Sequence, residues 1–433
     1  MRNRIRAYPM VVLLLPLVAA ILLLNAVYPL QNQPQEEQYY QFVIVGAPKS
    51  TAKCERFETK VLPKGKVNLY LLRDSTRVLP SYGDTIIAKT KIEWSHTTGR
   101  AFVARYQVLQ AKAHKEPLQV RLYKRLAMSG LAGDELATVG ALTLGYKEDL
   151  DRDVKRHFQA SGAAHVLAVS GLHTGIIYAL LLGLLTLGGR FKPHYENWLG
   201  RCTISALIIA AMWGYAWLTG MTPSVVRAVL MVTAVEVGRM LYRNSLSINT
   251  IAAAAVVILL VRPTDLWSVS FQLSFAATAA IVLTATETEL YTHRKGWKIT
   301  FLGWLANWII GIIVVSLAAQ LGTLPITMYY FGQISNYFLL TNIIVLPLAG
   351  LLVPCGLVSI ALGGSWLGLQ VSKVTFALAW TMNHAVGWIE SLPGSTTQVA
   401  INGWMVAIYY VLLFTFYGFY RWGLPANDQL KTS

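Results

Sequence analysis

The sequence predicts a polytopic α-helical membrane protein with about ten transmembrane helices and a small all-β domain. Of its 433 residues, 55% are hydrophobic and 13% are charged, about half the charged share of an average soluble domain. Apolar stretches of about 20 residues, the length that crosses a membrane's hydrocarbon core, recur along the chain after residue 160. A polar segment of short alternating runs separates them from a first apolar stretch near the N-terminus.

The N-terminal apolar stretch predicts a retained transmembrane helix within residues 1–30. Residues 10–30 form a longer run than the hydrophobic region of a signal peptide, and no Ala-x-Ala-like cleavage site precedes Gln31. Arg2, Arg4 and Arg6 come before the run. Because basic residues beside a span stay in the cytoplasm, we expect the N-terminus to be cytoplasmic.

Residues 31–118 predict a small β domain of the OB type, located in the periplasm. Apolar and polar residues alternate at 42–45, 67–72, 85–92 and 101–109, with turn signals around Gly65 and Gly83. Five or so short strands in a segment of this length favour a compact barrel. The aromatic residues Phe42, Phe57, Tyr70 and Tyr106 either fill its core, which is the favoured interpretation, or offer faces for stacking with a ligand. Its basic residues are candidates for contact with a polyanion: Lys49, Lys53, Arg56, Lys60, Lys64 and Lys66.

The remaining chain predicts an interfacial segment and a multi-span helical domain. Residues 119–160 mix apolar and charged residues and favour an interfacial or re-entrant helix. Residues 161–421 form the multi-span domain, and residues 422–433 form a cytoplasmic tail. The apolar segments lie at 163–188, 202–219, 224–241, 248–261, 266–287, 301–329, 336–361, 367–389 and 402–420.

The distribution of basic residues predicts the orientation of these spans. Loops near Arg190, Arg243 and Lys298 are basic, whereas the intervening turns at 220–223, 330–335 and 391–397 contain no Lys or Arg. By the positive-inside rule, both termini are cytoplasmic and the β domain is periplasmic. The formal net charge of +16 is consistent with anionic lipid at these loops and with a polyanionic substrate.

The stretch LAVSGLHTG opens the first long span after the β domain. Polar residues at membrane depth are costly, and they usually face a bundle interior or a water-filled path. His165 and His173 are eight residues apart, on about one helical face, with Ser170 between them. They are candidates for a polar path. Alternatively, the histidines bond to nearby backbone, and Ser170 and Gly171 allow close helix packing.

The stretch TGMTPSVVRAVLM predicts a turn followed by a span that begins at Pro223. Thr222 or Ser224 is expected to cap this helix. Arg227 then lies one turn inside the span. Its guanidinium either snorkels to the headgroups or contacts a passing phosphate.

Later spans contain further polar residues and prolines. Gln272, Gln320 and Asn342 are candidates for the same polar path. Pro325 and Pro347 interrupt otherwise apolar spans. We therefore expect kinked or broken helices, which membrane proteins tolerate where the helices line a cavity.

These motifs, in this order, resemble those of the ComEC competence family. The resemblance also rests on RPTDLWSVSFQLSFAATAAI and on the stretch from QLGTLPITMYYF to LLVP, and it covers about residues 8–420. It implies a bacterial inner-membrane channel that carries single-stranded DNA into the cell during transformation. The expected partners are single-stranded DNA, membrane lipids, a periplasmic DNA receptor, a cytoplasmic helicase-like ATPase and a separate nuclease.

The sequence departs from the longer members of that family. Those members carry a C-terminal metallo-β-lactamase-like domain with an H-x-H-x-D-H metal signature, and no histidines here have that spacing. We therefore expect no nuclease activity of that kind, no metal, no cofactor and no enzyme activity. The sequence also lacks a Walker A stretch, so a partner must supply any ATP-driven force.

Two other functions compete with the channel. A small-solute secondary transporter would use the interrupted helices and the polar residues within the spans, but the chain shows no inverted repeat. An intramembrane serine hydrolase would use Ser170 as the nucleophile and His384, from a later span, as the base. That mechanism requires the two side chains within hydrogen-bond reach.

Overall fold

The computed structural model describes residues 9–27, 38–44, 49–50, 54–61, 65–72, 84–94, 99–103, 106–110, 118–167, 169–186, 197–241, 248–292 and 301–422. The chain divides into two compact units. The first comprises Met1–Pro16, Leu122–Val261 and Val269–Ser433, and the second comprises Leu17–Arg121 and Arg262–Ser268.

The second unit contains an eight-stranded sheet. Its strands are β1 (Gln38–Ile44), β2 (Lys49–Ser50), β3 (Cys54–Val61), β4 (Gly65–Leu72), β5 (Thr85–Thr90), β6 (Ile92–Trp94), β7 (Gly99–Val103) and β8 (Gln107–Gln110). The order is β6-β7-β4-β3-β1-β5-β8, with β2 beside β3. Neighbouring strands are antiparallel except for the parallel pair β4–β7.

Alternate apolar residues of the strands form the core of this sheet. Alternate residues of β4 are buried, namely Val67, Leu69 and Leu71, because successive side chains of a strand point to opposite faces. Phe42 and Phe57 are fully buried, so their assignment to the core is confirmed. Closure into an OB-type barrel stays a prediction.

Fourteen α-helices occur in the described chain, and twelve of them, from Gly133 onward, lie wholly in the first unit. They are α1 (Pro9–Val27), α2 (Leu118–Met128), α3 (Gly133–Leu144), α4 (Arg152–Ala160), α5 (Ala164–Leu167), α6 (Gly171–Thr186), α7 (Trp198–Leu218), α8 (Pro223–Met240), α9 (Ile248–Val261), α10 (Val269–Thr292), α11 (Phe301–Phe331), α12 (Phe338–Leu362), α13 (Trp366–Ser391) and α14 (Gly403–Trp422). A short 3-10 helix, Pro263–Trp267, precedes α10, and the strands β9 (Gln333–Ser335) and β10 (Thr396–Gln398) pair with each other.

Helix α3 lies in the core of the first unit. All of its residues from 137 to 144 are buried. Helix α12 packs closely against it, since a Cβ on Gly356 would lie 2.6 Å from the Thr143 methyl carbon. A helix at a membrane surface exposes one face, so the interfacial interpretation of residues 119–160 does not describe α3. The re-entrant alternative stays a prediction.

Three helical segments of the described chain are long and apolar enough to cross a membrane: Trp198–Leu218, Asn307–Phe331 and Phe338–Leu362. Five shorter apolar segments accompany them. Two other predicted spans, now α8 and α13, carry ionisable residues that lower their apolarity, among them Arg227, Glu236 and Lys373. The count of ten spans therefore stays a prediction. The loop residues Arg190, Arg243 and Lys298 lie outside the described residues.

Both predicted helix-interrupting prolines lie inside continuous helices. Pro325 lies within α11, and Pro347 lies within α12 together with Pro354. The expectation of broken helices is therefore wrong. The helices continue because each proline removes only one backbone donor, and flanking residues keep their helical bonds. Kinking at these positions stays a prediction.

Candidate functional site

The turn before α8 has an unusual backbone conformation. Met221 has a φ of 54°, and it is the non-glycine residue with a positive φ in the described chain. Its N–H donates to the Ala216 carbonyl at 2.8 Å, and the preceding Gly220 also has a positive φ, 74°. Strained backbone of this kind concentrates at functional sites. The conformation of this turn therefore indicates that the start of α8 is a candidate functional site.

Helix α8 begins at Pro223, as the sequence predicts, but neither predicted residue caps it through its side chain. Thr222 occupies the N-cap position without a capping side-chain bond, and its buried hydroxyl has no hydrogen-bond partner among the described residues. Ser224 instead accepts a hydrogen bond from Arg227 Nη2 at 3.2 Å. The hydroxyl expected to cap the helix thus orients an arginine.

Arg227 is buried, at 3% exposure, and it bridges two helices. Its Nη2 also donates to Ser270 Oγ of α10 at 2.6 Å, while the two serine oxygens are 3.4 Å apart. Ser270 itself is exposed. The choice between the two interpretations, snorkelling to headgroups and contact with a passing phosphate, stays a prediction. A guanidinium beside two hydroxyls is a donor-rich group suited to a phosphate.

The other end of α8 contains a buried ion pair that sequence reasoning missed. Glu236 is fully buried, and its carboxylate accepts from Arg239 Nη1 at 2.9 Å. It also accepts from Tyr178 of α6 at 2.6 Å and from Ser205 of α7 at 2.7 Å. The Arg239 guanidinium lies 5.8 Å from the centre of the Tyr178 ring. This cluster of four side chains, here called the Glu236 cluster, joins three helices.

The LAVSGLHTG stretch forms a helix end instead of one continuous helix. His165 belongs to the short α5, whereas His173 lies in the first turn of α6. The prediction that both histidines share one helical face is therefore wrong. Ser170 is not helical and its carbonyl accepts from the Thr174 N–H at 3.2 Å, so α6 starts anew after it.

His173 caps this new helix. Its Nδ1 accepts from the Ser170 N–H at 3.1 Å and lies 3.0 Å from Ser170 Oγ. The bond from the Ser170 N–H is one of the two bonds of a capping box, with histidine in the place of the usual glutamate or glutamine. His173 is fully buried, and its Nε2 has no hydrogen-bond partner among the described residues. Because Nδ1 accepts, the neutral ring carries its proton on Nε2.

The alternative interpretation of this motif, backbone contacts for the histidines and close helix packing at Gly171, holds for the histidines but not for Gly171. His165 Nδ1 lies 3.2 Å from the Gly162 carbonyl oxygen, which matches the expected backbone contact. A Cβ on Gly171 would meet no heavy atom of the described residues within 4 Å. Close helix packing at Gly171 is therefore wrong in this structure. Its role is to begin α6.

The remaining path candidates lie on three helices of the first unit. Gln272 and Gln320 are half-buried on α10 and α11. Asn342 of α12 is 8% exposed, and its Oδ1 has no hydrogen-bond partner among the described residues. Helices α6 and α12 pack against each other, so the unpartnered atoms of His173 and Asn342 belong to neighbouring helices. Unsatisfied buried polar atoms are rare, and they point to bound water or a functional role.

The serine and histidine of the hydrolase alternative do not pair. The Ser170 hydroxyl contacts His173, whereas His384 is exposed and its Nδ1 lies 2.9 Å from the Trp380 carbonyl oxygen. The described residues contain no hydrogen bond between Ser170 and His384. They also contain no group of three His, Cys, Asp or Glu side chains that could hold a metal ion.

The β domain displays a basic and aromatic patch. Arg56 Nη2 donates to Asn68 Oδ1 at 3.0 Å. Tyr70 stacks on Phe102 with ring centres 4.8 Å apart, and Phe102 is 65% exposed. Arg56, Tyr70 and Phe102 are register neighbours on β3, β4 and β7. Sequence reasoning included Tyr70 but missed Phe102.

Of the other basic residues predicted to bind DNA, three lie on described strands and two do not. Lys60 and Lys66 are register partners on β3 and β4, and Lys49 is the register partner of Arg56. Lys53 and Lys64 lie outside the described residues.

Comparison with known proteins gives a family. A model of the family described as "Competence protein" matches residues 142–424. ComE operon protein 3 of Bacillus subtilis (strain 168) is 32% identical over 281 residues, which are 64% of this chain and 32% of the relative. Recombination protein 2 of Haemophilus influenzae (strain ATCC 51907 / DSM 11121 / KW20 / Rd) is 24% identical over 54% of this chain and 29% of the relative.

A third relative, the uncharacterized protein YcaI of Escherichia coli (strain K12), is 26% identical over 49% of this chain and 27% of its own length. The chain thus spans about a third of the length of the curated relatives that it matches. No solved structure matches it significantly. The matched residues include α6, α8 and α10–α14. The chain is a membrane protein that belongs to the ComEC family of competence proteins.

Proposed function

We propose that the chain forms a channel in the bacterial cytoplasmic membrane through which one strand of DNA enters the cell during natural transformation. The observation that carries the proposal is the Arg227 site, which lies inside the residues matched by the family model. A buried arginine in a transmembrane helix is costly unless its surroundings need its charge. A phosphodiester backbone meets that need, because each nucleotide presents anionic oxygens to a guanidinium and hydroxyl donors.

The polar groups beyond Arg227 support a path for this strand. His173 and Asn342 each keep a buried polar atom without a hydrogen-bond partner among the described residues, and they lie on helices that pack together. Gln272 and Gln320 are half-buried on neighbouring helices of the same unit. Such groups along a hydrated route could exchange hydrogen bonds with water and with the sugar and phosphate groups of a moving strand.

The β domain is proposed to receive the strand in the periplasm. Its patch combines the Arg56 guanidinium with the stacked rings of Tyr70 and Phe102. Single-stranded nucleic acid is bound without sequence preference by such combinations of positive charge and aromatic faces. The orientation follows from the positive-inside rule, with both termini in the cytoplasm. A DNA receptor, a helicase-like ATPase and a separate nuclease are the proposed partners.

An uptake experiment tests this proposal. Cells that lack the chain, with and without a plasmid that restores it, receive duplex DNA labelled on one strand. Restored cells are expected to hold the label in the cytoplasm as a single strand, whereas cells without the chain keep it outside the cytoplasmic membrane. Cytoplasmic label in cells without the chain would contradict the proposal.

The small-solute transporter is the second candidate, because unsatisfied polar atoms within helices also suit an occluded solute pocket. Purified chain in liposomes separates the two functions. A transporter would accumulate a small solute against its gradient in the absence of DNA. The channel proposal predicts no such accumulation.

A further inference from the structure

Helix α11 contains a gap in its hydrogen-bond ladder. Pro325 lies inside this helix and has no N–H, so the carbonyl of Leu321, four residues earlier, lacks its usual helical donor. An unsatisfied carbonyl is especially costly where water is excluded, and the segment Asn307–Phe331 is one of the long apolar helical segments. A donor from elsewhere is therefore expected at Leu321.

Helix α14 supplies that donor. The Tyr409 hydroxyl donates to the Leu321 carbonyl oxygen at 2.9 Å. The next tyrosine, Tyr410, donates to the Gly322 carbonyl oxygen at 2.7 Å. Two consecutive tyrosines thus bind two consecutive carbonyls at the position of the ladder gap. A tyrosine that only filled space against lipid would leave its hydroxyl without such a partner.

Close packing also fixes α11 next to the gap. A Cβ on Gly322 would lie 2.7 Å from the Ala276 carbonyl oxygen and 2.7 Å from the Ala280 Cβ, so α10 and α11 approach each other where only glycine fits. Helix α11 therefore contacts both α10 and α14 at the level of Gly322. Gln320, a candidate of the proposed DNA path, is the residue directly before Leu321.

We propose that Tyr409 and Tyr410 are positioning residues, which hold α11 at its ladder gap and thereby fix Gln320 in the geometry that passes DNA. Tyr409 acts by replacing the donor that Pro325 lacks. Tyr410 acts on a carbonyl whose helical donor, the N–H of Ile326, is still present. The effect on import rests on the proposed function, whereas the hydrogen bonds are measurable without DNA.

A double-mutant cycle on the purified full chain tests the contact. Tyr409→Phe removes only the hydroxyl and is expected to lower the Tm. In a Pro325→Ala background, the new N–H of residue 325 can bond to the Leu321 carbonyl, so Tyr409→Phe should lower the Tm by less than half as much. Tyr410→Phe is the matched control, since its loss of Tm should be the same in both backgrounds.

Import is measured in parallel. Because leaving a carbonyl of an apolar helical segment without a hydrogen bond shifts a conformational equilibrium by about tenfold, Tyr409→Phe should reduce uptake of the labelled strand by about that factor at a normal level in the membrane. If Tyr409→Phe alone does not accumulate, the double variant Pro325→Ala/Tyr409→Phe must do so. Loss of both variants would overturn the proposal.

Three further results would overturn it: equal Tm losses for Tyr409→Phe in both backgrounds, an unchanged Tm for Tyr409→Phe, or the expected Tm cycle with unchanged import. A wild-type chain that restores no import would contradict the proposed function instead. The predicted Tm cycle would still hold in that case, so the two failures are distinguishable.

Discussion

The two ends of helix α8 hold buried charges in different ways. At its start, the guanidinium of Arg227 donates to the hydroxyls of Ser224 and Ser270. Near its end, the carboxylate of Glu236 accepts from Arg239 and from two hydroxyl groups. The first arrangement brings two hydroxyl oxygens to a cation, whereas the second pairs a cation with an anion.

This difference indicates which end of α8 is suited to an anionic ligand. The Glu236 cluster neutralises its own charges and satisfies the carboxylate with donors from three helices, which makes it a structural joint. The hydroxyls at Arg227 orient the guanidinium, and each can donate its own proton to an incoming anion. We therefore expect substitutions at the two ends to separate stability from import.

The largest effect is expected at the Glu236 cluster. Glu236→Ala leaves Arg239 without its buried anion and strands the hydroxyls of Tyr178 and Ser205, which costs about 3–5 kcal/mol of unfolding free energy. The level of protein in the membrane and the Tm in detergent measure this loss. The double variant Glu236→Gln/Arg239→Gln should recover part of both. A Glu236→Ala chain with normal level and Tm would show that the cluster is not a structural joint.

The next effect is expected at Arg227. Arg227→Gln keeps some hydrogen bonding but removes the charge, and charge-assisted hydrogen bonds contribute about 1.5–3 kcal/mol. Import of the labelled strand should fall about tenfold to a hundredfold at a normal membrane level. Arg152→Gln, the same change at an exposed position of α4, is the matched control and should leave import unchanged. If the Arg227→Gln chain were absent from the membrane, Arg227 would have a structural role. The two ends of α8 would then not differ in function.

A third arginine extends the comparison to the β domain. Arg56, like Arg227, is held by a neutral oxygen, here Asn68 Oδ1. If such arginines contact phosphate, Arg56→Gln should weaken binding of single-stranded DNA to the full chain and make the salt dependence shallower by about 0.7 in its logarithmic slope. Phe102→Ala should weaken binding by about tenfold through lost stacking with an unchanged slope. A salt slope unaffected by Arg56→Gln would exclude this phosphate contact.

The smallest effects are expected for one hydroxyl from each end of α8. Ser270→Ala removes an oxygen that orients Arg227 and should reduce import about fivefold with little change in Tm. Ser205→Ala removes a donor to Glu236 and should lower the unfolding free energy by about 1 kcal/mol with unchanged import. The opposite assignment, with Ser205→Ala affecting import and Ser270→Ala affecting only the Tm, would reverse the interpretation of the two ends.

The features that the sequence predicted correctly are those that depend on residues close together in the chain. Pro223 begins α8 because proline suits the first helical position, and the period of two in β4 identified its buried face. It did not predict the bonds of Arg227 and Glu236, because Ser270, Tyr178 and Ser205 are 43, 58 and 31 residues away from them. Those partners come together only through tertiary packing.

Two errors of the sequence prediction have more local causes. The shared helical face of His165 and His173 was wrong, because the periodicity assumed a continuous helix through Ser170 and Gly171. Ser170 was a usable signal for a helix start, because serine is among the residues preferred at the position just before a helix. Phe102 was missed because it stands between the apolar residues Ala101 and Val103, so the sequence of β7 does not show which of its faces is exposed, and its stacking partner Tyr70 lies on another strand.

Photo-crosslinking during import tests most directly whether DNA passes the Arg227 end of α8. A benzoylphenylalanine replaces Met221, which is 45% exposed in the turn before α8, and in a control it replaces Phe376, which is 40% exposed on α13. The account predicts an adduct with the incoming labelled strand from position 221 and none from position 376. Undiminished import without an adduct at position 221, or equal adducts at both positions, would contradict it.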